Sequence, residues 1–156
     1  MATTLWLAVF PLSYLIHFAE EYCGGEGYPA YLFRLRGVQL SSRRFVVFQA
    51  FGFLLFIAAG VISTWLGFPE LMLAILGTFV LSNGISHGIT AWLDGRYGPG
   101  LMTSTLIWIP LGVATLVMLF GRMSNGRLAL GTLIGFAING AIALMTMRGG
   151  RLVRQT

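Results

Sequence analysis

Long apolar blocks separated by short polar breaks constrain this fold more than any other feature of the chain. A membrane-spanning helix needs about 20 apolar residues, and five blocks reach that length, at roughly 3–22, 45–67, 70–93, 101–121 and 128–147. With 56% hydrophobic and 10% charged residues, the composition lies outside the range of soluble domains. We therefore predict an all-α polytopic membrane protein, a single bundle of five transmembrane helices in one domain.

The polar breaks define the connections between these helices. Between the first two blocks, the segment GYPAYLFRLRGVQLSSRR combines aromatic residues with alternating arginines, which predicts an amphipathic segment at the membrane interface. Gly67-Phe68-Pro69, DGRYGPG and GRMSNGR predict the later turns. The N-terminus has no basic region and no cleavage site with small residues, so the first block is expected to remain as a helix.

Arginine supplies all of the basic charge, because the sequence contains no lysine. The arginines flank apolar blocks, which favours contact with lipid phosphates over binding to nucleic acid. With five spans, one side of the membrane carries Arg34, Arg36, Arg43, Arg44, Arg96, Arg148, Arg151 and Arg154, and the other carries Arg122 and Arg127. Since basic loops stay in the cytoplasm, this asymmetry predicts an external N-terminus and a cytoplasmic C-terminus.

Both histidines of the chain are expected at one depth in the membrane. Counting from the inner ends of the first and third helices at 1.5 Å per residue places His17 roughly 7 Å and His87 roughly 9 Å from the cytoplasmic boundary. Glu20 and Glu21 follow His17 at helical spacing, and Asn83 precedes His87 by one turn. Ionisable groups at this depth cost several kcal/mol unless they are paired or solvated, so the sequence predicts a shared polar pocket.

A divalent metal would hold these groups together most simply. We expect His17, Glu21 and His87 to be the ligands, with one position left open for water. Zinc fits this ligand set best, and iron or manganese also bind two histidines with a carboxylate. The sequence does not decide which glutamate binds the metal and which activates water, so both Glu20 and Glu21 are candidate catalytic residues. The single Cys23 excludes an internal disulfide and a cysteine metal cluster.

Four further polar residues are expected at the same rim or cavity. Tyr97 is a candidate phenol donor in catalysis, although an interfacial tyrosine in a loop has the same pattern. Asn83, Thr103 and Asn139 are candidates for holding substrate or orienting a ligand. For Asn139, an amide that packs two helices together is the main alternative.

Four sequence blocks resemble a known family. His17-Phe18-Ala19-Glu20-Glu21, YPAYLFRLRG, NGISH and RYGPGLMT are similar, in order and spacing, to the HXXEE domain family of small bacterial membrane proteins of uncharacterised function. The resemblance implies a multi-pass protein of the bacterial inner (plasma) membrane. It also implies that the pattern-bearing positions are His17, Glu20, Glu21, Asn83, His87, Tyr97 and Pro99.

The function that we expect is metal-dependent catalysis, most economically hydrolysis, on a lipid-like or amphipathic substrate reached from the cytoplasmic leaflet. Three alternatives remain open. The histidines and glutamates could act without metal as acid–base groups of a lipid isomerase. His17 and His87 could be axial ligands of a haem. The pocket could also belong to a small transporter or binding protein, for which a homodimer would supply symmetry.

Overall fold

The structure is a computed structural model that describes residues 2–153, with side chains described for residues 3–145. The arginines of the C-terminal tail that enter the orientation argument, Arg148, Arg151 and Arg154, therefore lie outside the described side chains. Within residues 2–153 the chain is helical and contains no β-strand, which confirms the all-α prediction.

Five long helices and one short helix make up the described part of the chain. In order they are α1 (Ala2–Cys23), α2 (Tyr28–Arg36), α3 (Ser42–Trp65), α4 (Pro69–Asp94), α5 (Leu101–Leu119) and α6 (Asn125–Val153). Each predicted apolar block lies over one long helix, with ends that differ by a few residues. The arginine-rich segment after the first block contains α2, which ends at Gly37 in the left-handed conformation.

Helix α4 lies at the centre of the bundle, with residues 73–80 all buried. Small residues let the backbones of α5 and α6 approach it closely. A methyl group added at Gly112 of α5 would lie 2.6 Å from the Gly77 carbonyl, and one added at Gly135 of α6 would lie 2.5 Å from the Ile75 carbonyl. These glycines fix the bundle on which the polar residues of α4 are mounted.

Helix α1 packs against α3 and α4 through one stripe of side chains. The stripe consists of Leu7, Phe10, Tyr14, His17 and Glu21, which are all buried and follow one another at intervals of three or four residues. This is the spacing of one helix face. The apolar residues on its other faces are largely exposed. The face that carries Glu21 therefore points into the bundle along its whole length.

One turn of α5 has π-helical geometry, from Ser104 to Trp108. The Ile109 N–H bonds to the Ser104 carbonyl, five residues earlier. Pro110 follows, and a proline ring clashes with the carbonyl four residues before it in an ordinary α-turn, so the wider turn relieves that clash. The π-helical turn was not predicted from the sequence, and its last residue, Trp108, lies against His17 of α1.

Four helices are long and apolar enough to cross a membrane among the residues described: α3, α4, α5 and residues 125–145 of α6. Their outer faces carry large exposed apolar side chains such as Trp65, Trp92 and Val117, which suit contact with lipid. The chain is therefore a multi-pass membrane protein by helix length and composition. Helix α1 is not in this set, so the predicted fifth span is not confirmed.

Candidate metal centre

Three predicted ligands come together where α1 meets α4. Glu21 Oε1 lies 3.6 Å from His17 Nε2 and 3.5 Å from His87 Nε2. One ligand atom from each of the three residues lies within 4.8 Å of the others. A tetrahedral ion with bonds of about 2.0–2.1 Å holds its ligand atoms roughly 3.3–3.4 Å apart. The two distances to Glu21 are therefore within a few tenths of an ångström of a metal-binding geometry.

The Glu21 carboxylate is buried, and a chain of hydrogen bonds orients it. Gln49 of α3 donates its amide N–H to Glu21 Oε2, and the Tyr14 hydroxyl donates to Gln49 Oε1. These bonds occupy one carboxylate oxygen and leave Oε1 facing the two histidines. A carboxylate with one oxygen held in this way is pre-oriented to bind a metal through the other.

The His17 ring is fixed from two sides by α5. Its Nδ1 lies 2.7 Å from Thr103 Oγ1, and the Trp108 ring stacks on it at 3.7 Å between centroids. The Thr103 hydroxyl also donates to the Gly100 carbonyl, 3.3 Å away. When His17 carries its proton on Nδ1 and donates it to this hydroxyl, its Nε2 presents a lone pair on the side of Glu21.

His87 reaches the cluster from α4, and its ring lies edge-on to His17 with centroids 5.0 Å apart. The backbone of Pro99 hydrogen-bonds to this side chain. Proline has no N–H, so its carbonyl accepts and His87 donates. Metal-binding histidines commonly donate their second ring N–H to such an acceptor.

Gly100 closes the cluster on the side of the loop before α5. Its φ of +85° is a left-handed conformation that favours glycine. A methyl group there would lie 2.8 Å from His17 Cε1, 2.9 Å from His87 Cε1 and 3.1 Å from Glu21 Cγ. The RYGPG turn therefore covers the three ligands with bare backbone, and no larger residue fits.

Glu20 is held by the start of α5. Its Oε1 accepts from the Tyr97 hydroxyl at 2.5 Å and from the Met102 N–H at 2.8 Å, and its Oε2 accepts from the Thr103 N–H at 2.6 Å. A carboxylate at a helix N-terminus satisfies amides that have no partner within the helix. Burial and the hydrogen bond from the Tyr97 hydroxyl to Glu20 raise the pKa of Tyr97 to about 12.

The two predicted asparagines contact each other between α4 and α6. Asn83 Nδ2 donates to Asn139 Oδ1 at 3.2 Å, as expected of an amide pair that packs two helices. Asn83 Oδ1 is buried and has no hydrogen-bond partner among the residues that the structure describes. Of the two, Asn83 lines a cavity together with His17, Glu21 and His87. Its free acceptor is thus available to a ligand in that cavity.

This cavity has a volume of about 400 Å³, and all six helices contribute to its lining. Apolar side chains form most of its wall, and the cluster forms a polar patch on one side. Its main apolar lining residues are Leu32, Val38, Leu40, Phe45, Phe48, Phe79, Trp108, Ile142 and Met145. Apolar pockets with a few convergent polar groups are typical of small-molecule sites.

Three members of the site were not predicted from the sequence: Gln49, Trp108 and Gly100. Gln49 carried a usable signal, because it is the one polar residue in the apolar run from Phe45 to Ile62. A polar side chain inside a membrane span points by default to a functional contact. Trp108 gave no such signal, since its position depends on the π-helical turn.

The scan against protein families matches residues 8–115 to the family described as "Protein of unknown function with HXXEE motif". The matched range covers the larger part of the chain and includes the three cluster residues, Glu20 and Tyr97. The chain belongs to the HXXEE family. His17, Glu20 and Glu21 are the H, E and E of the family motif. No curated protein and no solved structure matches the chain.

The HXXEE motif thus combines two kinds of contact on one helix end. Its histidine and second glutamate face the candidate metal centre, and its first glutamate binds the start of α5. The segment from Tyr97 to Thr103, which supplies the hydrogen-bond donors to Glu20, lies inside the range matched by the family. Asn139 lies beyond that range.

Proposed function

We propose that this HXXEE protein is a membrane-embedded, metal-dependent enzyme, most simply a hydrolase, that acts on a lipid-like or amphipathic substrate from the cytoplasmic leaflet. The observation that carries the proposal is the convergence of His17, Glu21 and His87 on one point beside an apolar cavity. A divalent ion bound there, with zinc the best match and iron or manganese also suited, would keep a position open and activate a water molecule.

The surroundings of the three residues support binding of a metal in preference to a simple buried hydrogen-bond cluster. Gln49 holds the outer oxygen of Glu21, Thr103 holds the outer nitrogen of His17, and the Pro99 carbonyl accepts from His87. The atoms behind the ligand atoms are therefore held, and the ligand atoms themselves face one another across the centre. This is the arrangement that orients ligands in metal sites.

The hydrogen bonds of Glu20, Tyr97 and Asn83 support their predicted roles to different degrees. Both oxygens of Glu20 already accept hydrogen bonds, which favours a positioning role over that of a general base. Tyr97 is tied to the same carboxylate and is partly exposed at the rim. The free Asn83 Oδ1 supports a contact with substrate. Catalysis by Glu20 or Tyr97 stays a prediction.

The topology proposed for this function has five spans, with α1 as the first and the N-terminus outside. The buried stripe of α1 and the exposed apolar residues on its other faces support a helix packed into a membrane bundle. The arginine asymmetry supports the orientation. In this arrangement α2 lies along the cytoplasmic interface, and the cluster lies slightly deeper in the membrane than α2. A bacterial inner membrane, which the family resemblance implies, is the proposed location.

Two of the alternative functions can be weighed against the geometry. An acid–base isomerase without metal keeps support, because Glu21 contacts two imidazoles and could exchange protons with both. A haem between two axial histidines needs the macrocycle between the imidazoles, and Glu21 Oε1 occupies that space. The position of Glu21 therefore argues against the haem hypothesis. The transporter alternative stays open.

The test measures bound metal and turnover on the same preparation. Protein purified without chelator is analysed for metals, and its effect on a bacterial lipid extract is followed by mass spectrometry with and without chelation. We expect about one divalent ion per chain, and loss of both the ion and lipid turnover in His17→Ala and His87→Ala. Glu26→Gln, which removes an exposed acid paired with Arg34, is the control and should keep both. Turnover that survives removal of the metal would support the isomerase instead.

A further inference from the structure

The cavity beside the candidate metal centre has a cation at its mouth. Arg44 lines the cavity, and it also lines two surface grooves next to it. Leu40 is likewise shared between the cavity and the larger groove, which runs along α2. The cavity therefore meets the protein surface at Arg44 and Leu40, on the side of α3 where the helix begins.

Arg44 differs from Arg34 in having no acidic partner among the described residues. Arg34 donates to both oxygens of Asp94 at 2.9 Å and to Glu26 at 2.8 Å. No carboxylate pairs with the Arg44 side chain anywhere in the described part of the chain. An unpaired guanidinium beside a hydrophobic cavity is suited to bind an anionic group, because it offers a rigid fork of donors to a carboxylate or phosphate.

The walls between Arg44 and the cluster are apolar. Phe45 and Phe48 of α3 and Leu32 of α2 line the cavity. Along α3, Arg44 precedes Gln49, which touches Glu21, by five residues or about 7.5 Å. The volume of 400 Å³ holds about 13 atoms if each takes roughly the 30 Å³ of a liquid water molecule. A short hydrocarbon chain fills this space.

We propose that the cavity binds a single-chain anionic amphiphile, with its acidic group on Arg44 and its hydrocarbon chain directed toward the metal cluster. The proposal narrows the substrate class of the proposed function, and rests on that function only for turnover, which requires a hydrolysable bond, such as an ester, in the part of the chain that reaches the cluster. Charge complementarity at the mouth and the apolar wall argue for this ligand over a neutral or cationic one. The acidic group is a carboxylate or a phosphate, and both chemistries fit the same guanidinium.

Tryptophan fluorescence tests the proposal directly, because Trp108 lines the inner part of the cavity. The probe is 11-bromoundecanoate, whose terminal bromine quenches a nearby indole. Measurements use detergent-solubilised protein stripped of metal, so that binding is scored without turnover. We expect saturable quenching that is lost in Trp108→Phe, and weak quenching by the neutral 11-bromoundecanol. Displacement of the bromoundecanoate by decanoate and by decyl phosphate then shows whether a carboxylate or a phosphate binds more tightly.

A neighbouring arginine provides the matched control. Arg43 lines one surface groove together with Arg44 but does not line the cavity. We expect Arg44→Gln to weaken binding of bromoundecanoate about tenfold or more, as for loss of a charge-assisted hydrogen bond, and Arg43→Gln to leave it unchanged. Binding of the neutral alcohol should be alike in both variants.

Two results would overturn the proposal: equal affinity for the acid and the alcohol, or equal effects of Arg43→Gln and Arg44→Gln. These outcomes are separate from failure of the proposed function. If the protein binds the acid through Arg44 but holds no metal, the proposal of a metalloenzyme is contradicted and the proposal of an anionic amphiphile as ligand is supported. A protein that holds metal but binds the acid and the alcohol with equal affinity would contradict the anionic ligand and leave the metalloenzyme proposal standing.

Discussion

Glu20 and Glu21 are neighbours in the chain, and their surroundings are built in opposite ways. The Glu20 carboxylate accepts from three donors on the segment from Tyr97 to Thr103, so its oxygens are satisfied by the protein itself. The Glu21 carboxylate has one oxygen held by Gln49 and the other within 3.6 Å of two imidazole nitrogens. The first glutamate joins two helices, whereas the second presents a free ligand atom.

This difference follows from helical phase. Residues one position apart on an α-helix point about 100° away from each other, because there are 3.6 residues per turn. Glu21 continues the buried stripe of His17, Tyr14 and Phe10, while Glu20 points to the side where α5 begins. The motif thus uses adjacent acids to reach two different elements. The predictions below test whether the two roles can be separated.

The largest effect is expected from Glu21→Gln. Removing the charged ligand should weaken zinc binding by more than about 100-fold, beyond the 10–100-fold loss typical for a residue behind a ligand. The apo protein should unfold at nearly the same detergent concentration, because glutamine has the same shape. Isothermal titration with zinc measures the first, and unfolding in sodium dodecyl sulfate measures the second. An affinity close to that of the unmodified protein would show that Glu21 is not a ligand.

Gly100→Ala should combine loss of metal binding with loss of stability. The added methyl group would lie 2.8–2.9 Å from both histidine rings, and the positive φ adds backbone strain. Overpacking of this kind costs about 1–3 kcal/mol of unfolding free energy. Gly95→Ala is the control, because Gly95 also has a positive φ but, in the described part of the chain, no atom of a non-adjacent residue lies within 4 Å of the added carbon. If both variants lose zinc equally, strain rather than contact is responsible.

Glu20→Gln should affect stability more than metal affinity. The amide nitrogen that replaces one oxygen cannot accept from the Met102 or Thr103 N–H, so the start of α5 loses a partner. We expect a loss of about 1–2 kcal/mol in unfolding free energy, in the lower range for bonds to charged groups because Glu20 is partly exposed. Zinc affinity should fall less than tenfold. A fall as large as that of Glu21→Gln would contradict the separation of roles.

Much of this site could be predicted from the sequence, for reasons visible in particular residues. His17 and His87 were predicted to lie at one depth because they are at similar distances from the inner ends of their helices. In the structure their ring centroids are 5.0 Å apart. The choice between Glu20 and Glu21 stayed open because it depends on which face of α1 is buried. Apolar residues lie on every face of α1, so the sequence does not distinguish the buried Leu7 and Phe10 from the exposed Leu5 and Leu12.

Other parts could not be found in this way. The stacking of Trp108 on His17 requires the π-helical turn of α5, and no local pattern specifies how far such a turn rotates a side chain. The short contact of Gly100 with the cluster depends on the path of the RYGPG loop across α1. The sequence contains the glycine, and only the packing of three helices shows what it must avoid.

The smallest effect is expected from Tyr97→Phe, which removes one of the three donors to Glu20. The hydroxyl is partly exposed, so the loss should be about 0.5–1 kcal/mol of unfolding free energy at pH 7, with zinc affinity unchanged. Since burial and Glu20 raise the pKa of Tyr97 from 10.0 to about 12, the neutral phenol stabilises the fold.

The contribution of Tyr97 should be complete below pH 10, and should disappear as the pH rises through about 12, where the folded protein loses the proton. Unfolding free energies of the two proteins should therefore differ by a constant amount from pH 7 to 9 and converge above pH 10. A difference that grows with pH would mean that the phenolate is the stabilised form. In that case Tyr97 would have a cationic neighbour, and the Glu20 region could no longer be described as satisfied by donors alone.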